Sequence, residues 1–102
     1  QYNIAGYPHT NLEIAQIIAR HLNKNPEHVI EFVADRPGQD KSYLIRGEKL
    51  HTRHNWKHEH EFEKAMARTI DWYVENKQWW QKVRSTPGFK EYYKEQIEGR
   101  WF

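Results

Sequence analysis

Apolar residues along this chain form two stripes at helical spacing, with short β-like runs before and between them. Leu12, Ile14, Ile17, Ile18 and Leu22 recur at a helical period, which predicts an amphipathic helix over residues 11–23. The preceding Thr10-Asn11-Leu12-Glu13 matches a capping box, in which the Thr10 hydroxyl and the Glu13 carboxylate satisfy otherwise orphaned amides. Asn23-Lys24-Asn25-Pro26 ends that helix. Phe62, Ala65, Met66, Thr69, Ile70 and Tyr73 form the second stripe, on a long helix that ends near Lys77 and whose start lacks the usual Ser or Thr cap. Gly47 to His54 reads as a short helix stopped at Asn55, a residue that tolerates the left-handed backbone. Pro87-Gly88 sets off a last segment, Phe89 to Gly99, helical and weakly amphipathic.

The β-like runs are Tyr2-Asn3-Ile4-Ala5, the Val-, Ile- and Phe-rich stretch His28 to Ala34, and a brief pairing segment Tyr43-Leu44-Ile45. The order strand, helix, strand, helix, helix gives an α/β reading: few short strands, two main helices plus short ones, and too few strands for an independent sheet. The second run breaks abruptly into Asp35-Arg36-Pro37-Gly38-Gln39-Asp40. Proline sets one backbone angle and glycine opens conformations closed to other residues, so this loop can hold a fixed shape. A planar guanidinium on such a loop suits bidentate grip of a phosphate or carboxylate, which makes Arg36 the first candidate for function.

Composition narrows the reading further. A chain of 102 residues accommodates one domain, here residues 1–102. With 29% charged residues and a mean hydropathy of −1.11, its five Trp and six Tyr must supply much of the core or cover a partner. The formal charge of +2 is too small to argue for nucleic acid, and no apolar run is long enough to cross a bilayer. The lack of cysteine excludes disulfides, thiolate metal sites and cysteine nucleophiles, and is compatible with a cytoplasmic protein. The opening strand-like pattern without an initiator methionine favours a fragment of something larger, marginal or aggregation-prone by itself.

Several constellations invite chemistry and each has a plainer explanation. His51, His54, His58 and His60 suggest zinc, but Asn55 interrupts the spacing between His54 and His58, and a solvated polar linker suffices. Tyr73-Val74-Glu75-Asn76-Lys77 matches Tyr-x-x-x-Lys, yet Tyr73 lies on the apolar stripe and Lys77 at the helix end, so a core tyrosine and a dipole-favoured lysine account for both. Glu59, Glu61 and Glu63 read as the solvated amino end of a helix. Trp72, Trp79, Trp80, Trp101 and Phe102 read as a hydrophobic docking surface, with no basic stripe interleaved among them to favour stacked bases.

Taken together, Tyr2-Asn3-Ile4-Ala5-Gly6, Thr10-Asn11-Leu12-Glu13, Asp35-Arg36-Pro37-Gly38-Gln39-Asp40, Tyr43, Trp56 and Thr69-Ile70-Asp71-Trp72-Tyr73 carry a family likeness. In this order and spacing the chain resembles the dTDP-glucose 4,6-dehydratases of the extended short-chain dehydrogenase/reductase superfamily, over essentially its whole length to Ile97-Glu98-Gly99-Arg100. The resemblance implies the carboxyl-terminal, nucleotide-sugar-binding portion of such a lyase, lacking the Rossmann sheet. It implies that NAD, the catalytic Tyr-x-x-x-Lys and an acidic pair belong to an amino-terminal Rossmann portion, the partner of this piece within a cytoplasmic homodimer. The family oxidises its dTDP-hexose at C4, eliminates water across C5 and C6 and returns the hydride to C6. No catalytic residue is expected in this chain, which alone would be inactive.

By position, Arg36 looks like the family's diphosphate-gripping arginine and Asn3 like its nucleotide-contacting asparagine, with Asp35, Pro37, Gly38 and Gln39 completing the substrate loop. Gln39 stands where many members have histidine, and Ile97 where some place a substrate-contacting tyrosine. His54 and His60 fall where apolar residues are usual, and His58 replaces a common proline. Two alternatives remain open at this point: part of another nucleotide-sugar epimerase or decarboxylase, and a stand-alone interaction module docking through its tryptophans.

Overall fold

Residues 1–35 and 38–94 are described by a computed structural model. Helix α1 spans Asn11–His21 and starts as its sequence dictates. The Glu13 amide donates to the Thr10 hydroxyl (3.1 Å) and the Thr10 amide to the Glu13 carboxylate (2.6 Å). Hydrogen bonding to the carboxylate by the Thr10 amide first, and by its hydroxyl second, holds the Glu13 carboxyl below its ordinary value of 4.5. The helix closes slightly earlier than expected, because Asn23 turns left-handed (φ 55) and lets the Lys24 amide reach back to the Ala19 carbonyl at 2.8 Å.

Asn25-Pro26 is a start as well as a stop. Asn25 accepts a hydrogen bond from the Glu27 amide (3.1 Å) and Pro26 occupies the first turn of α2, Pro26–Val29. His28 is therefore helical, not the first residue of a strand. Helix α3, Glu48–His54, ends at Asn55 in the left-handed conformation (φ 50), as its sequence predicts.

Helix α4, Phe62–Glu75, begins at an extended Glu61 that makes no side-chain cap. It stops at Asn76, whose backbone and side-chain amides both donate to the Trp72 carbonyl (2.9 and 2.8 Å). A separate helix, α5 over Lys77–Ser85, follows at once, and sequence periodicity did not resolve it. Thr86 then caps α6, Pro87–Tyr93, accepting from the Phe89 amide at 3.4 Å. Pro87 and Gly88 thus open the last described helix instead of separating it from its neighbour. The expected continuation through residues 95–99 lies outside the described residues.

The α/β expectation is corrected: among the described residues there are six helices and no strand. Tyr2–Ala5, Ile30–Ala34 and Tyr43–Ile45 do not pair with one another. A strand needs a neighbour for its amides and carbonyls, and without one the run stays an extended segment. The core is accordingly thin. Ala19 of α1 and Ile70 of α4 are its buried apolar residues, 5% and 7% exposed, where those two helices pack. A hydrogen bond between His21 Nε2 and Asp71 Oδ1 (2.7 Å) ties the same helices at the surface. Much of the α1 stripe remains uncovered, with Leu12, Ile18 and Leu22 all exposed.

Candidate functional site

The loop that drew attention in the sequence follows an extended, solvent-facing run, with Phe32 81% exposed. Asp35 is exposed and Gln39 half-buried at either side of the turn. Gly38 adopts φ +75, and a side chain added there would meet open space, so conformation and not crowding calls for glycine. Arg36 and Pro37 lie outside the described residues. Tyr43 is exposed beyond the loop.

Asn3 sits in the other part of the expected site, an extended, exposed segment that crosses α3. The ammonium of Lys49 donates to the Gln1 carbonyl (3.3 Å) and lies 5.2 Å from the Tyr2 ring centre. Beside Gly47 the segment comes so close that a Cβ there would stand 3.2 Å from Ala5 Cβ and 3.3 Å from its amide nitrogen. A side chain at this crossing is crowded, so any residue larger than glycine makes the segment at Ala5 give by a few tenths of an ångström.

The histidine-rich stretch is exposed throughout residues 51–60, as a solvated linker would be, yet its imidazoles also make specific contacts. His54 Nε2 meets the Tyr2 hydroxyl at 2.8 Å, and His58 Nε2 donates to the Ala5 carbonyl at 2.7 Å. His51 Nδ1 donates to the Trp56 carbonyl at 3.0 Å, and the His58 ring packs edge-on to Trp56 at 4.7 Å. His60 Nε2 lies 3.3 Å from Arg68 Nη1; arginine only donates, so this nitrogen accepts. The ring of His9 stacks on Phe62 at 3.9 Å. Among residues 1–9, imidazoles thus take up the Ala5 carbonyl and the Tyr2 hydroxyl. Sequence spacing gave no hint of it, since the partners lie about fifty residues away. Among the described residues no group of three His, Cys, Asp or Glu side chains is placed to hold a metal ion.

Tyr73 and Lys77 fall on different helices, α4 and α5, so the four-residue spacing does not put them on one helical face. The Tyr73 carbonyl instead accepts from the Trp80 indole (2.9 Å). Glu61 pairs with Lys64 at 3.0 Å and Glu63 lies in the first turn of α4, in keeping with a solvated helix start. Tyr73, Trp72 and Trp79 form a run of edge-on rings, 5.2 and 5.3 Å apart, and all three are exposed. Cations do interleave here: Lys77, Lys82 and Arg84 share α5 with the tryptophans, and the Arg84 guanidinium lies 5.9 Å from the Trp80 ring centre. Trp101, Phe102 and Ile97 lie outside the described residues. A shallow groove of about 440 Å³ runs along His60, Ala65, Arg68, Thr69 and Trp72, and its lining includes none of Asn3, Asp35, Gly38 or Gln39.

Comparison with known proteins follows the loop and helix motifs. The chain is similar to a dTDP-glucose 4,6-dehydratase of Escherichia coli, 36% identical over 93 residues that cover 80% of this chain and 26% of the relative. A probable dTDP-glucose 4,6-dehydratase of Sinorhizobium fredii is 35% identical over 91 residues, covering 82% of this chain and 26% of that protein. The dTDP-glucose 4,6-dehydratase 1 of Escherichia coli K12 is 32% identical over 106 residues, covering 97% and 29%. The chain thus spans little more than a quarter of the length of the relatives it matches. No family model matches it, and no solved structure does. Across most of its own length, this chain is similar in sequence to about a quarter of the length of the dTDP-glucose 4,6-dehydratases it matches.

Proposed function

We propose that this chain is the carboxyl-terminal, substrate-binding portion of a dTDP-glucose 4,6-dehydratase-like enzyme. The observation that carries the reading is the identity of 31–36% to enzymes of that name, sustained over 80–97% of the chain. The loop from Asp35 to Gln39, turning at a left-handed Gly38, holds the diphosphate through Arg36, with Pro37 stiffening the turn and the Gln39 amide adding a donor. Asn3 adds a polar contact to the nucleotide. Guanidinium suits the task because its fixed fork of donors pairs two phosphate oxygens at once.

Redox chemistry falls to an amino-terminal Rossmann portion that binds NAD, and the present chain positions the sugar nucleotide against it. In that arrangement the unpaired runs Ile30–Ala34 and Tyr43–Ile45, and the exposed rings of α4 and α5, meet the rest of a cytoplasmic, homodimeric lyase. The chain by itself is inactive.

Arg36→Ala in the complete enzyme tests the grip. Affinity for dTDP falls by about 1.5–3 kcal/mol, the scale of a hydrogen bond to a charged group. Unchanged dTDP binding by calorimetry sinks the assignment of Arg36.

A further inference from the structure

An extended segment without a strand partner needs other means to hold a side chain still, and Asn3 is bracketed by them. On its amino side the Tyr2 hydroxyl meets His54 Nε2 at 2.8 Å, with the two rings edge-on at 4.9 Å. On its carboxyl side the Ala5 carbonyl lies 2.7 Å from His58 Nε2. A carbonyl can only accept, so that nitrogen carries the proton and donates. The His58 ring is itself held, edge-on to Trp56 at 4.7 Å and tilted against Tyr7 at 5.8 Å. Gly47 lets the backbone settle directly onto the start of α3 between these two fixings.

We propose that His54 and His58 are positioning residues for Asn3: His54 holds the Tyr2 side chain before it, His58 holds the Ala5 carbonyl after it, and together they keep its amide ready for the nucleotide. The inference rests on the reading of Asn3 as a nucleotide contact. Neither imidazole need touch the substrate; each acts through the segment it anchors. Binding then no longer has to freeze residues 1–5 at the moment the nucleotide arrives.

The test is a mutant cycle in the complete enzyme, read as the dissociation constant of dTDP. Asn3→Ala weakens binding about tenfold and His58→Ala about fivefold, the scale of one or two lost hydrogen bonds. His58→Gln, whose amide can still donate to Ala5, restores near-native affinity. Combining Asn3→Ala with His58→Ala is no worse than Asn3→Ala alone, because nothing remains to be positioned. KM for the sugar nucleotide moves with these values while kcat at saturation stays put. His54→Phe and Tyr2→Phe, which delete opposite ends of one contact, have equal effects. Where His58→Ala does not fold, His58→Leu supplies the volume without the donor.

Full additivity of the two alanine variants, or native affinity in His58→Ala and His58→Leu, overturns the positioning role. Native affinity in Asn3→Ala overturns the underlying assignment of Asn3 instead, so the two failures are separable.

Discussion

Helices α1 and α4 and the extended runs that lead into and out of the Arg36 loop draw on the same stock of Ile, Val and Phe and meet opposite fates. In the helices every backbone bond closes within a few residues, so the apolar stripe needs only another helix to cover it. Ala19 and Ile70 find that cover in each other's elements. Around the loop, Phe32, Val33, Leu44 and Ile45 stay exposed, because extended backbone must borrow its partners from another strand. Local closure makes α1 and α4 self-sufficient in backbone bonding, although much of the α1 stripe stays uncovered, whereas the loop flanks are complete only in company. On the proposed reading, that company is the rest of the enzyme.

The widest expected contrast comes from truncating one residue on each side. Ile70→Ala removes the largest buried side chain of the helix pair and costs about 2–4 kcal/mol. In a chain with so thin a core this abolishes the helical circular dichroism of the isolated piece. Phe32→Ala changes the isolated piece by less than about 0.5 kcal/mol, as expected of an exposed side chain. On the proposed reading, in which the rest of the enzyme covers Phe32, the same change lowers the melting temperature of the complete enzyme. Equal, negligible effects of Phe32→Ala in both settings remove the contrast.

Gly38 gives the next largest effect. Alanine at φ +75 costs about 1–2 kcal/mol, and asparagine, which visits the left-handed region more readily, costs less. Loss of dTDP affinity in Gly38→Ala, with partial recovery in Gly38→Asn, is the outcome to measure; indifference to both means that the turn does not shape the grip.

These contrasts mark what the sequence could and could not disclose. The capping box at Thr10, the stop at Asn55 and the stripes of α1 and α4 are written in local spacing, and each is found in place. The break at Asn76 is hidden because Asn is an ordinary helix residue until its amide turns back on the Trp72 carbonyl. Strands were overread because Val, Ile and Phe report a pleated, half-buried surface and are silent about who supplies its other half. Near the candidate site, the left-handed turn at Gly38 was legible from turn chemistry, whereas the imidazole contacts that bracket Asn3 depend on pairs about fifty residues apart.

The smallest effect tests the self-sufficient side on its own terms. Thr10→Ala deletes the hydroxyl that receives the Glu13 amide and costs about 1 kcal/mol. Its reciprocal partner makes the same cap depend on pH. In the folded chain the Thr10 amide and hydroxyl hold the Glu13 carboxyl below 4.5, while unfolding releases it to that ordinary value. The unfolded state therefore binds the proton more readily, so the contribution is fully present above the ordinary value and is lost as pH falls through the lower, folded one. Because Glu13 is exposed, the amplitude is small and shrinks further with salt. Glu13→Gln keeps an oxygen to accept from Thr10 but has no charge to lose, so it removes this part of the acid dependence while leaving stability near neutral pH only slightly reduced. Acid titrations of the two proteins followed by helical circular dichroism should differ slightly above the ordinary carboxylate value, where only Glu13 is charged, and converge as pH falls through the lower, folded one. Superimposable curves at every pH mean that Thr10 alone caps α1.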